Sequence, residues 1–173
     1  MAREVNIFTG NWTALGTGSS DPFGLSSYVY ALAELPNGDL VAGGVFEQMN
    51  GTTVRNLARW DGATWHALAG GTGASTDVVY SLAALPDGDL VAGGSFVTIG
   101  GQAAAGLARW DGSQWSELAG GIQGRPSSDV ATALATTAAG DLVVAGTFIG
   151  GGGTISTNFA VLQPPCRGAV TTL

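Results

Sequence analysis

The sequence predicts an all-β fold made of β-propeller blades, each a meander of four antiparallel strands, with about three blades in the chain. Three observations predict it. First, residues 28–68 and 78–118 are close copies, and a looser third copy begins near Val130. Trp60 and Trp110 stand 50 residues apart, as do Leu40 and Leu90, and Leu142 follows Leu90 by 52. A period of that size marks a propeller, a solenoid or an array. Second, each period contains short apolar runs separated by turn signals, the pattern of strands joined by hairpins. Third, no segment sustains a 3.6-residue apolar period, so almost no helix is expected.

Within the second copy the elements follow in order. Val79, Leu82 and Leu85 form an apolar run that Pro86-Asp87-Gly88 ends. Leu90-Val91-Ala92 is the next run, closed by Gly93-Gly94 and Phe96. A variable glycine-rich connection leads to Leu107-Ala108-Arg109-Trp110. Asp111-Gly112 is a two-residue hairpin signal, and Gln114–Leu118 is the fourth run. The turns between first and second strands (Asn37-Gly38, Asp87-Gly88, Ala139-Gly140) hardly vary, nor do those between third and fourth (Asp61-Gly62, Asp111-Gly112). The connections from second to third strand, and from fourth strand to the next copy, vary strongly. In an up-and-down blade these two sets lie on opposite faces. The face of longer, differing loops is where a rigid scaffold usually carries function.

The ends predict how the row is completed. Trp12 and Leu15 stand where Trp65 and Leu68, or Trp115 and Leu118, stand in the full copies. After Ala160 the third copy loses its pattern, with Val161-Leu162 in place of Arg-Trp. The expected organisation is one propeller module over 1–173. Its parts are the outer strand or strands of a shared blade at 5–16 and blades at 28–69, 78–119 and 130–173. The N-terminal strand around Trp12 completes the last blade, or residues 169–173 do. Closed propellers have roughly four to eight blades, so copies are expected to assemble into a ring, a dimer with about six or a trimer with about nine. The alternative is a piece of a longer surface propeller.

Composition narrows the partners. The chain has no lysine and a net charge of −7, which repels a nucleic-acid backbone and an anionic membrane surface. No apolar run approaches the roughly 18 residues of a spanning helix, and MAREVNIFTG shows no signal-peptide pattern. The 29 glycines far exceed average usage, and most recur at fixed offsets, which argues for regular turns rather than disorder. Cys166 is the one cysteine, so no internal disulfide forms.

The phrases LPNGDLVAGGVF, LPDGDLVAGGSF, LARWDGATW and LARWDGSQW resemble bacterial delta-60 propeller repeats. They are also similar to the repeats of fungal cortical polarity-marker propellers and of kelch-like blades. The resemblance runs from Trp12 to about Ala160 and implies a propeller of secreted or cell-surface character. It names no ligand, because similar folds host lectins, adhesins and enzymes.

The chemistry-bearing residues read mostly as scaffold. Asp39, Asp89 and Asp141 recur at one offset, and Asp61 and Asp111 at another. Aspartate at such sites supports tight turns through its own backbone, and no calcium loop is visible. Trp12, Trp60, Trp65, Trp110 and Trp115 alternate with apolar residues as inter-blade packing does, more than as sugar platforms do. Arg59 and Arg109 are expected to pair with turn aspartates. His66 is the lone histidine, with no second ligand for zinc and no serine arranged as its nucleophile. Glu34, Glu47 and Glu117 are the non-turn acids that a glycoside hydrolase would need.

The expectation is a non-catalytic scaffold or binding module with no catalytic, metal or cofactor site. Its variable loops would take a protein or glycan ligand. A lectin-like propeller is the alternative, and a glycoside hydrolase a further one. The candidate binding residues, unique to their copies, are Arg125, Arg55, Asn56, Gln102, Asp77, Phe23 and Tyr28.

Overall fold

The computed structural model describes residues 13–22, 26–123, 129–151 and 153–163. Three antiparallel sheets follow one another along the chain. The first runs in sequence order through β1 (Tyr28–Glu34), β2 (Leu40–Val45), β3 (Leu57–Trp60) and β4 (Trp65–Ala67). The second repeats it with β5 (Val78–Ala84), β6 (Leu90–Ser95), β7 (Leu107–Trp110) and β8 (Trp115–Glu117). The third has β9 (Val130–Thr136), β10 (Leu142–Thr147) and β11 (Phe159–Leu162), with no fourth strand among the described residues. Trp12 and residues 169–173, each expected to supply that strand, lie outside the described residues. No helix occurs among the described residues.

The sheets stack face to face as propeller blades do, in an open row rather than a closed ring. The innermost strands β1, β5 and β9 neighbour one another. Between the first two sheets, Val41 and Leu57 meet Val79, Ala92 and Trp110 in one core. Between the second and third, Val91 and Leu107 meet Ala131, Leu142 and Val144 in the same way. Each fully buried leucine or valine stabilises the stack by about 1.5–3 kcal/mol. Trp110 and Trp115 belong to the core between the first two sheets, while Trp60 and Trp65 pack with Phe46, Met49 and Val54 on the other side of the first sheet. Trp110 and Trp115 pack with ring centres 5.5 Å apart, Trp60 and Trp65 at 5.4 Å. Trp65 and Trp115 are buried.

The recurring Gly-Gly pair has two separate causes. Each innermost hairpin carries a β-bulge, with register shifts between Val29 and Ala31, Val79 and Ser81, and Ala131 and Ala133. The bulge brings the carbonyl of Tyr28, Val78 or Val130 against Gly44, Gly94 or Gly146, where a Cβ would run into that oxygen. The preceding glycine answers to the neighbouring sheet. A Cβ on Gly43 would stand 2.6 Å from Val79 Cγ1, and one on Gly93 would stand 3.0 Å from Ala131 Cβ of the next sheet as well as 2.7 Å from the Ser81 hydroxyl of its own hairpin. The third sheet has Ala145 at this position, where no further sheet lies against it among the described residues.

The tight turns are closed by side chains. The loop joining β7 and β8 spans Asp111 to Gln114, between the paired Trp110 and Trp115. The sequence signal suggested a two-residue hairpin at Asp111-Gly112. The Asp111 carboxylate instead accepts the N–H groups of Ser113 and Gln114, both at 2.8 Å, and so closes a longer loop. Asp61 does the same for Ala63 and Thr64. Gly62 and Gly112 take φ of 96° and 94°, where a side chain would be strained.

These bonds favour the ionised acids. The Gln114 N–H, then the Ser113 hydroxyl and N–H, hold the Asp111 pKa down to about 2. The Thr64 and Ala63 N–H groups, then His66, push Asp61 lower still. A carboxyl whose folded pKa is depressed contributes stability that is present above its unfolded pKa and lost as pH falls through the folded one. Melting temperatures measured stepwise from pH 5 to pH 2 should therefore fall more steeply for the native chain than for the Asp61→Asn/Asp111→Asn double variant. Parallel curves would show that the two carboxylates do not couple to folding.

Candidate functional site

The variable connections do not form free loops. Ser19–Ser20, ahead of the first sheet, pairs with Gln48–Met49 of that sheet's long hairpin, which pairs in turn with Thr52–Thr53. Thr72, following the first sheet, bridges to Ile99 in the hairpin of the second. Ile122–Gln123 pairs with Gly150–Gly151 of the third. Each connector thus hydrogen-bonds to the hairpin of the next sheet. The loop face is a row of small ribbons with one backbone plan under differing side chains.

Of the seven candidate binding residues, Phe23 and Arg125 lie outside the described residues. Four of the other five gather around the Thr72 connector. The Arg55 carbonyl accepts the Thr72 N–H at 3.0 Å, and the Arg55 side chain is exposed. Asn56 is fully buried. Its Oδ1 accepts the Phe46 N–H at 2.8 Å, and its Nδ2 donates to Thr72 Oγ1 at 2.8 Å and to the Ala74 carbonyl at 3.2 Å. Asn56 therefore turns inward and positions Arg55 beside it. The Asp77 carboxylate accepts the Ala74 N–H at 2.9 Å, and burial pushes its pKa up. Gln102 is exposed and paired in register with Ile99, the residue that bridges to Thr72.

Tyr28 stands apart, on the innermost strand. Its ring stacks on Tyr30 with centres 5.9 Å apart and planes 17° from parallel. Tyr30 packs on Tyr80 of the next sheet at 5.4 Å. Tyr28 and Tyr30 are half exposed, at 51% and 49%. The sequence reading singled out Tyr28 and missed its two companions. Tyr30 and Tyr80 repeat at the 50-residue offset, and both are the extra residue of the β-bulge. That offset could have marked them as a pair.

On the opposite face a cleft of about 550 Å³ runs between the first two sheets, lined by Pro36, Asp39, Arg59, Asp87 and Trp110 among others. Both arginines beside it are paired, while Asp111 is held by the N–H groups of its own turn. Arg59 pairs with Asp39, and Arg109 pairs with Asp89 and with Asp87 at 3.0 Å. These are the expected arginine–turn aspartate pairs. Being partly exposed, each is worth at most about 1 kcal/mol.

His66 Nε2 lies 2.7 Å from Asp61 Oδ2 and 2.9 Å from Thr64 Oγ1. A triad base meets its hydroxyl through one ring nitrogen and its acid through the other. Here both partners share Nε2, so the cluster is turn chemistry and no proton relay. Glu34 ends β1 at the tight-turn face, Glu47 lies in the long hairpin of the loop face, and Glu117 ends the outer strand β8, where it accepts the Ala105 N–H at 3.3 Å. The three acids stand on separate elements, so the fold does not set two of them as neighbours on one strand or turn.

A family model described as a domain of unknown function (DUF5122) β-propeller matches residues 85–110. That stretch is similar to a propeller repeat. It runs from the first tight turn of the second sheet through β6 and the long hairpin to the end of β7, the part of the blade that holds both glycines and the inter-sheet core. No curated protein matches the chain.

Proposed function

We propose that the chain is a non-catalytic β-propeller binding module, closed into a ring with its own copies, whose loop face and inner strands take a glycan or protein ligand. The stack of Tyr28, Tyr30 and Tyr80 carries this reading. Half-exposed tyrosines combine a rigid apolar face with a hydroxyl, the chemistry that stacks on sugar rings or anchors a protein surface. They sit on strands held by the blade core, so little ordering is lost on binding. Arg55, Gln102 and Asp77, around the Thr72 connector, supply polar contacts on the loop face. Repetition of this surface around a ring would add avidity to weak single contacts.

The test is binding of the purified chain to an immobilised glycan panel. Tyr28→Ala, Tyr80→Ala and Arg55→Ala would follow on any hit. Loss of binding by ten-fold or more in the tyrosine variants, at unchanged melting temperature, is the expected result. No hit across the panel would remove the glycan form of the reading. A hit that survives both tyrosine variants would move the site elsewhere.

A further inference from the structure

We propose that two copies of this chain exchange their N-terminal segments, residues 13–15 of each pairing as the missing outer strand on β11 of the other. The proposal rests on the ring reading above and gives that ring its joint. Three observations meet in it.

The first is the entry of the chain. Gly18 and Ser19–Ser20 occupy the place that Gly71 and Thr72 hold after the first sheet. The Asn50 N–H donates to the Gly18 carbonyl, as the Gly100 N–H donates to Gly71. Leu15 precedes Gly18 by the same three residues as Leu68 precedes Gly71. Its carbonyl accepts Trp65 Nε1–H at 3.1 Å. Residues 13–20 thus run as the tail of an outer strand and its connector, on the side of the first sheet where no inner strands stand among the described residues.

The second is the third sheet, which has the complementary defect. It carries inner strands β9, β10 and β11, and among the described residues the far edge of β11 is unpaired. An unpaired edge is a template for another strand.

The third is the pair of open faces. Val29 and Leu32 are 43% and 59% exposed, while Val79 and Ala131, which match Val29 in the next two sheets, are fully buried. Phe159 and Val161 are 54% and 51% exposed, while Leu57 and Leu107, which match Phe159, are buried. In both internal junctions these same positions meet. A second copy placed head to tail repeats that junction, with Val29 and Leu32 of one chain against Phe159 and Val143 of the other. Ala145 in place of the glycine makes this junction wider than the internal ones by one methyl. Two chains of three sheets close a six-bladed ring, within the roughly four to eight that propellers use. The two-fold arrangement leaves neither terminal sheet face open.

The register follows from the complete sheets. Arg59 faces His66, and Ala58 faces Ala67. By the same offsets Val161 of one copy faces Thr13 of the other, and Ala160 faces Ala14. Directly opposed strand residues lie about 4.5–5.5 Å apart at Cα, within disulfide reach. The test uses the full chain with Cys166→Ser, carrying Thr13→Cys with Val161→Cys. The out-of-register control carries Thr13→Cys with Phe159→Cys. Light scattering across a dilution series gives the mass of the native chain and of Phe159→Lys, which places charge where Leu57 and Leu107 are buried in the internal junctions. The expected results are a dimer for the native chain, a monomer for Phe159→Lys, and a disulfide between copies in the Val161 pair but not the control. A dimer in which the Val161 pair stays reduced, or in which the control links as well, overturns the strand exchange and leaves the ring reading standing. A disulfide within one chain, or a trimer, overturns the two-copy exchange. A monomeric native chain overturns both.

Discussion

Gly94→Ala is expected to lower the unfolding free energy by about 3–5 kcal/mol. The added methyl would run into the carbonyl oxygen of Val78 and would come within 3.1 Å of the Phe96 ring. That carbonyl is held there by the bulge between Val79 and Ser81. Relief would require undoing the bulge. A one-residue slip of β5 would turn Val79, now fully buried, away from the first sheet. Gly101→Ala is the control. Gly101 has φ of 77° and open space around it, so its substitution carries only the left-handed strain of roughly 1–2 kcal/mol. Urea unfolding of both variants separates the effects. If Gly94→Ala cost no more than Gly101→Ala, the bulge would be free to relax, and close approach would not be what demands glycine.

Asn56→Ala is expected to cost about 3 kcal/mol, from two sources of different kind. Residue 56 has φ of 67°, which alanine adopts with strain. Loss of the amide also leaves the buried Phe46 N–H without its side-chain acceptor and removes the tie to Thr72 and Ala74. Asn56→Gly separates the two. Gly106 holds the same place in the second blade with φ of 68°, so glycine accepts the backbone and only the hydrogen bonds are lost. Asn56→Gly should therefore retain part of the stability that Asn56→Ala loses, and hydrogen exchange at Thr72 should quicken in both. An Asn56→Gly chain as stable as the native one would mean the amide adds nothing beyond its backbone preference.

Asn56 also shows where sequence reasoning ran out. It was marked for binding because it is polar and sits in a variable connection, and the burial of its side chain has no signature in the local sequence. Its partners Thr72 and Ala74 lie 16 and 18 residues away, in the connector that leaves the first sheet and folds back on its hairpin. Tyr28 shows the converse. One exposed tyrosine was legible, but the stack with Tyr30 and Tyr80 needs the bulge on β1 and the approach of β5. The Arg59–Asp39 pair was legible because the turn and the arginine recur together at one offset. Such pairs link strands of one sheet, and sequence spacing sets their reach.

The sequence by itself determined the strand order within each repeat, where the tight turns fall, and the packing of Trp110 and Trp115 between sheets. Each of these depends on interactions inside one repeat, or between identical repeats, so periodicity carries them. Only the tertiary structure decided which polar residues face water and why each glycine of the pair is needed. It also decided that the variable connections are ribbons tied to the next blade, and that the third sheet stops at three strands among the described residues. These depend on how one sheet meets the next, and a contact between residues far apart in the chain leaves no periodic trace. The Gly-Gly pair holds both cases: Gly94 answers to its own hairpin and has a glycine counterpart in every copy, while Gly93 answers to its neighbour and gives way to Ala145 where that neighbour is missing among the described residues.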